Sequence, residues 1–156
     1  MENLNIIKQN AEESRIWAEN NCSPEELKKR LRGFCAIGAS YLSNKLKEAN
    51  IDNKIGLYYS TNSLSHCFVI TDNYIIDITA TQFNGNIIYN RKNELLNPIE
   101  IRHKSEINTK YLKFWEISHI INSPEELIKK QIDDSWNKDT LIDRNDAIKN
   151  SIFKPK

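Results

Sequence analysis

With 156 residues, 22 Lys plus Arg against 21 Asp plus Glu and a formal net charge of +1, the chain is long enough to bury a core within one domain and has no strong field to draw it to nucleic acid. Three cysteines, an odd number, suit reduced thiols rather than a disulfide framework, and no segment is long and apolar enough to span a bilayer. The residues after Met1 lack the apolar stretch of a signal peptide, so the expected compartment is the cytoplasm, with leaderless export to another cell compatible with the same sequence.

In chain order, Ile6, Ile7, Ala11, Ile16 and Trp17 recur at roughly helical spacing, which predicts an amphipathic helix to about Glu19. Ser23-Pro24-Glu25-Glu26 is a capping box with Pro at the first helical position, and Gly33 interrupts the short helix it starts. Lys28-Lys29-Arg30 and Arg32, with Glu25 and Glu26 nearby, read as a solvated helix face. The stripe Cys35, Ala39, Leu42, Leu46, Ala49 steps by four and three, so a second helix starts at Cys35 with that residue on its core side, and Asn50 suits its C-cap. Residues 54–59 read as a strand and 60–65 as a polar loop bordering a cleft.

Two further strand-like runs, residues 66–71 and 74–79, flank Asp72-Asn73, a good two-residue hairpin turn. That turn pairs Thr71 with Tyr74 and sets His66 opposite Thr79. Asp77, two residues from Thr79, then lies on the same face as His66, and the two side chains can meet diagonally. A three-residue turn would shift the register by one and send Asp77 to the other face. A carboxylate inside the apolar run 75–78 is costly without a partner, which favours the pairing. A helix start offers free N–H groups and the positive end of the dipole to Cys35, favouring thiolate, so Cys35, His66 and Asp77 read in order as nucleophile, base and orienting acid.

Further on, Gln82 is a candidate to donate to an oxyanion or orient substrate, while Phe83, Trp115 and Trp136 suit the core. Asn86-Ile87-Ile88-Tyr89 and Pro98-Ile99-Glu100-Ile101-Arg102 read as short strands, and residues 111–121 fit helix or strand. Ser123-Pro124-Glu125-Glu126 repeats the capping box and opens a helix to about Asn137, with a last helix near 140–152. The two Ser-Pro-Glu-Glu-Leu words are helix starts, not an internal repeat. Cys22 and Cys67 read as structural, the latter facing away from His66 across the strand, and His103 and His119 as surface or core residues. No metal-ligand spacing and no Gly-rich phosphate loop occurs, and no cofactor is implied.

His66-Cys67-Phe68-Val69 followed by Tyr74-Ile75-Ile76-Asp77-Ile78-Thr79, after a helix-start Cys35, resembles the transglutaminase-like branch of the papain-like thiol enzymes. That branch carries a helix-start Cys, a His-x-aromatic strand and an Asp-x-Thr strand, and the resemblance covers roughly residues 33–83. It implies a Cys35–His66–Asp77 triad on a helix packed against an antiparallel sheet, and acyl-thioester chemistry. Families with this core include peptidases, transglutaminases, amide deamidases, peptide N-glycanases and, more distantly, arylamine N-acetyltransferases. Arg32-Gly33-Phe34-Cys35 resembles the approach to the acetyltransferase nucleophile without its second glycine. Lys28, Lys29 and Arg30 stand where papain carries an oxyanion Gln, which leaves the second oxyanion donor unassigned.

The expected fold is therefore α+β, one papain-like or transglutaminase-like domain over 1–156, with roughly four to six antiparallel strands against the Cys35 helix and helices at both ends. The expected function is a cysteine-dependent hydrolase or transferase acting on an amide or acyl bond, with a peptide or protein amide as substrate and neither nucleic acid nor membrane as partner. Acyl transfer to a small amine is one alternative, and a non-catalytic binding module on the same scaffold is another.

Overall fold

Helix α1 (Leu4–Asn21) begins where the Asn3 side chain accepts hydrogen bonds from the amides of Asn5 and Ile6, satisfying two of the donors a helix start leaves open. Its buried stripe is Ile7, Ala11, Ser14, Arg15 and Ala18. Helix α2 (Cys35–Glu48) ends in a Schellman arrangement: Asn50 takes a left-handed φ of 61°, its amide donates to Lys47 O at 3.0 Å and the Ile51 amide to Leu46 O at 2.8 Å. Asn50 thus occupies the position after the cap, Ala49 being the cap itself. The structure, a computed structural model, describes residues 3–24, 34–60, 63–80, 99–106, 115–127 and 129. The strand expected at 86–89, the last helix near 140–152, Gln82, Phe83, Trp136 and the basic run at 28–32 lie outside those residues.

Five strands make one antiparallel sheet: β1 (Lys54–Ser60), β2 (Ser63–Ile70), β3 (Tyr74–Asp77), β4 (Glu100–His103) and β5 (His119–Ile121), in the order β4-β3-β2-β1-β5. The first four form a meander, and β5 returns to the open flank of β1. Residues 119–121, ambiguous in sequence, are strand because the Leu57 carbonyl takes the Ser118 amide at 2.8 Å and β1 supplies the pairing edge. Residues 63–65, expected as loop, are also strand, continuing the β1–β2 ladder as far as the Ser60–Ser63 pair. The second capping box forms as Glu126 N donating to Ser123 Oγ at 3.3 Å, with the Glu126 carboxylate taking the Asn122 amide at 3.0 Å.

The sheet carries apolar side chains on both faces. Ile55, Leu57, Cys67, Val69 and Ile76 face α1 and α2, while Phe68, Ile70, Ile75, Ala80 and Trp115 form a second core on the other side. The helices meet through Trp17 stacked on Tyr41, ring centroids 4.0 Å apart, and a Lys45–Glu13 ion pair at 2.8 Å. Among the described residues no helix is long and apolar enough to cross a membrane.

Gly56 stands opposite Phe68, whose ring lies where a side chain would be. A Cβ there would sit 2.5 Å from Phe68 Cε2 and 2.8 Å from Ile70 Cδ1, both inside the core. Gly56→Ala is expected to lower stability by about 1–3 kcal/mol through overpacking, read as a lower urea midpoint.

Candidate active site

The hairpin register places the first two site residues. Val69 pairs with Ile76, Ile70 with Ile75, and the Thr71 amide donates to Tyr74 O at 2.9 Å, which is the two-residue turn read from Asp72-Asn73. His66 and Asp77 accordingly share a face, and His66 Nε2 lies 2.5 Å from Asp77 Oδ2, with both residues buried. A bulge adds to the site: Tyr58 pairs with His66 but Tyr59 with Leu64, so Ser65 is an extra residue immediately before the histidine. Bulges re-aim neighbouring side chains and strengthen local twist.

Asp77 is held from several sides. The Thr79 amide donates to Oδ1 at 3.0 Å, and the Thr79 hydroxyl lies 3.4 Å from the same oxygen. The indole N–H of Trp115, 2% exposed, donates to Oδ2 at 2.9 Å. Trp115 fills the second core as the sequence suggests, but its bond to the carboxylate was not legible, because the residue arrives from a distant segment. Arg15 Nη1 donates to Ile78 O at 2.8 Å, tying α1 to the backbone just after Asp77. A charge on the buried stripe of α1 was the available signal for that tie.

Cys35 sits in the first turn of α2, at a helix start whose cap, Phe34, makes no side-chain capping bond. Gly38, one turn on, lies against Thr79 and Ile78, where an added Cβ would come within 3.2 Å of Thr79 Cγ2. The β2–β3 pairing covers Val69 and Ile70 and stops short of His66 and Cys67. That open flank lets the helix start reach both residues. Cys35 hydrogen-bonds with the Cys67 thiol and with His66, and these contacts hold its own thiol well below the usual range against the opposing effect of burial. Cys67 does face away from His66, as expected, but that is the face α2 covers, so its thiol meets Cys35.

For His66, burial favours the neutral ring, yet the Asp77 charge and hydrogen bond, joined by Cys35, push it up to about 10 from 6.5. With Nε2 on Asp77, the remaining ring nitrogen, Nδ1, is the one available to Cys35. The three groups therefore form a line of alternating charge: thiolate, imidazolium, carboxylate. Gln82 lies outside the described residues, His103 bonds to Ser105, and exposed His119 packs edge-on to Tyr59. An open cavity of about 550 Å³, bordered by Lys47, Asp52, Lys54, Thr71 and Lys104, lies at the far end of β1 and β2 and touches none of the three site residues.

Comparison with protein-family models, curated proteins and solved structures finds no match to this chain.

Two outcomes follow. Trp115→Phe leaves Asp77 Oδ2 one donor short and is expected to cost about 1–3 kcal/mol in urea unfolding. Folding lowers the Cys35 thiol from 9.0 and raises His66 from 6.5 to about 10, so between about 6.5 and 9.0, wherever the folded thiol has given up its proton, folded and unfolded chains hold equal numbers of protons and stability is flat. Below 6.5 the unfolded chain gains a proton on the histidine and stability falls; above 9.0 it loses the thiol proton while folded His66 keeps its own to about 10, and stability falls again. In Cys35→Ser the plateau should disappear, stability declining from about 6.5 upward as only the raised histidine remains. Urea midpoints measured across pH check both profiles.

Proposed function

We propose that this protein is a cysteine-dependent enzyme acting on an amide or acyl bond. The observation that carries the reading is the buried His66–Asp77 pair with Cys35 hydrogen-bonded on the other side of the same imidazole. The surrounding fold is α+β, with a helix-start cysteine beside a five-stranded antiparallel sheet, and the papain-like or transglutaminase-like assignment is part of the proposal, resting on the residues around His66 and Asp77.

In this reading the Cys35 thiolate attacks the carbonyl carbon, and the negative charge that develops on oxygen is met by the open amides of the first turn of α2. His66 then gives its proton to the leaving amine, leaving an acyl thioester on Cys35. The neutral imidazole next takes a proton from the incoming nucleophile, and collapse of the thioester returns the thiolate. Water as nucleophile gives hydrolysis; an amine gives transfer. Asp77 holds the imidazole tautomer and stabilises its cation, a task for which its own bonds to Thr79 and Trp115 keep it in place. A peptide or protein amide is the favoured substrate.

Iodoacetamide labelling of each cysteine across pH, with site assignment by mass spectrometry, tests the reading. Cys35 should label faster than Cys22 and Cys67 below neutral pH, and His66→Ala should slow it there, with the Cys67 contact left as the remaining influence. Asp77→Asn should keep the fold by far-UV circular dichroism and slow Cys35. On a panel of glutamine-containing peptides, cleavage or ammonia release should fall by ~10²–10⁴-fold in His66→Ala. Ordinary reactivity at all three cysteines would sink the enzyme reading in favour of a binding module.

A further inference from the structure

Cys67 is the one buried thiol of the described residues, at 1% exposed, and it belongs to the same core face against which α2 packs. Cys35 keeps partial exposure at the start of α2, packs against the same core cluster as Cys67, and has its thiol lowered first of all by the Cys67 side chain. Two sulfurs brought together across a helix–sheet contact, one reachable from solvent and one behind it, are placed for more than mutual packing. Cys22, by contrast, sits at the end of α1 with its thiol on Glu19 O at 3.5 Å.

We propose that Cys35 and Cys67 form a reversible disulfide on exposure to peroxide, switching the site off and protecting its nucleophile from irreversible oxidation. The proposal rests on the reading of Cys35 as an activated thiolate. In the first step the Cys35 thiolate attacks one oxygen of hydrogen peroxide, the O–O bond breaks, and with one proton taken up the products are Cys35 sulfenic acid and water. In the second, the Cys67 sulfur attacks the Cys35 sulfur, its proton joins the departing hydroxide, and a disulfide and a second water result. Oxidant reaches Cys35 first, because Cys67 is covered by the core. The bridge removes the attacking sulfur and leaves His66 and Asp77 in place, so reduction by a dithiol restores the site.

The test treats the full-length chain with a small excess of hydrogen peroxide, then maps its cysteines by mass spectrometry without reduction, alongside low-pH iodoacetamide labelling of the untreated protein. The expected result is a Cys35–Cys67 cross-linked peptide, loss of Cys35 labelling, and its recovery in dithiothreitol. Cys67→Ala, treated at a pH where its untreated Cys35 still labels because the Cys67 contact that lowers the thiol is gone, should lose that labelling without recovery, as the sulfenic acid proceeds to sulfinic acid. If that variant does not fold, the map of the parent decides alone. Sulfinic acid on parent Cys35 with Cys67 still alkylatable after denaturation overturns the proposal, as does a Cys35–Cys22 bridge. So does a chain in which no thiol is oxidised; the labelling profile of the untreated sample then shows separately whether the thiolate reading falls with it.

Discussion

The buried pair of His66 and Asp77 is the interaction on which the rest of this structure depends. Removing either charge from water carries a penalty of several kcal/mol, offset only where the geometry is close and the remaining lone pairs and protons are satisfied. The fold meets that demand from three separate parts of the chain. The hairpin brings the two residues to one face, the local Asp77-Ile78-Thr79 turn supplies an amide and a hydroxyl, and Trp115 delivers an indole N–H from far along the sequence. Cys35 completes the line on the remaining side of the imidazole.

The site is also where the sheet stops being regular. On one flank of β2 the pairing with β3 ends before His66 and Cys67; on the other a bulge at Ser65 interrupts the pairing with β1. An uninterrupted ladder would occupy that edge of β2, and here the start of α2 approaches it. Gly38 eases the approach, since a Cβ there would sit 3.2 Å from Thr79 Cγ2 and 3.3 Å from Ile78 Cδ1, tighter than ordinary contact. Helices on one face and the Trp115 core on the other then hold the three side chains on packed elements, the condition under which a reacting constellation keeps its geometry.

Electrostatics runs in one direction along this line. Asp77 raises His66, and Cys67 and His66 lower Cys35, so both shifts favour the proton on the histidine over the proton on the thiol. Burial opposes both charges and is outweighed at each. The arrangement is internally consistent, since each group's charged form is the partner the next one requires.

Helix α2, the hairpin register and the meeting of His66 with Asp77 were legible in the sequence, because each follows from a local rule: the three-and-four spacing from Cys35, the two-residue turn at Asp72-Asn73, and alternation along a strand. The strand at 119–121 was not, since a three-residue run becomes strand only when the edge of β1 is there to pair with it. Nor was the bond from Trp115 to Asp77, or that from Arg15 to Ile78, because both join segments whose proximity no spacing encodes. The meeting of Cys35 with Cys67 lies between the two cases. Alternation sends Cys67 to the face opposite His66, and only the packing of α2 on that face turns an apparently structural thiol into a neighbour of Cys35. The sequence by itself determined which residue types stand in register within one hairpin and one helix, through interactions a few residues long. Tertiary structure alone decided which thiol, indole and guanidinium surround them, because those contacts depend on how layers pack, and packing is a property of the whole chain.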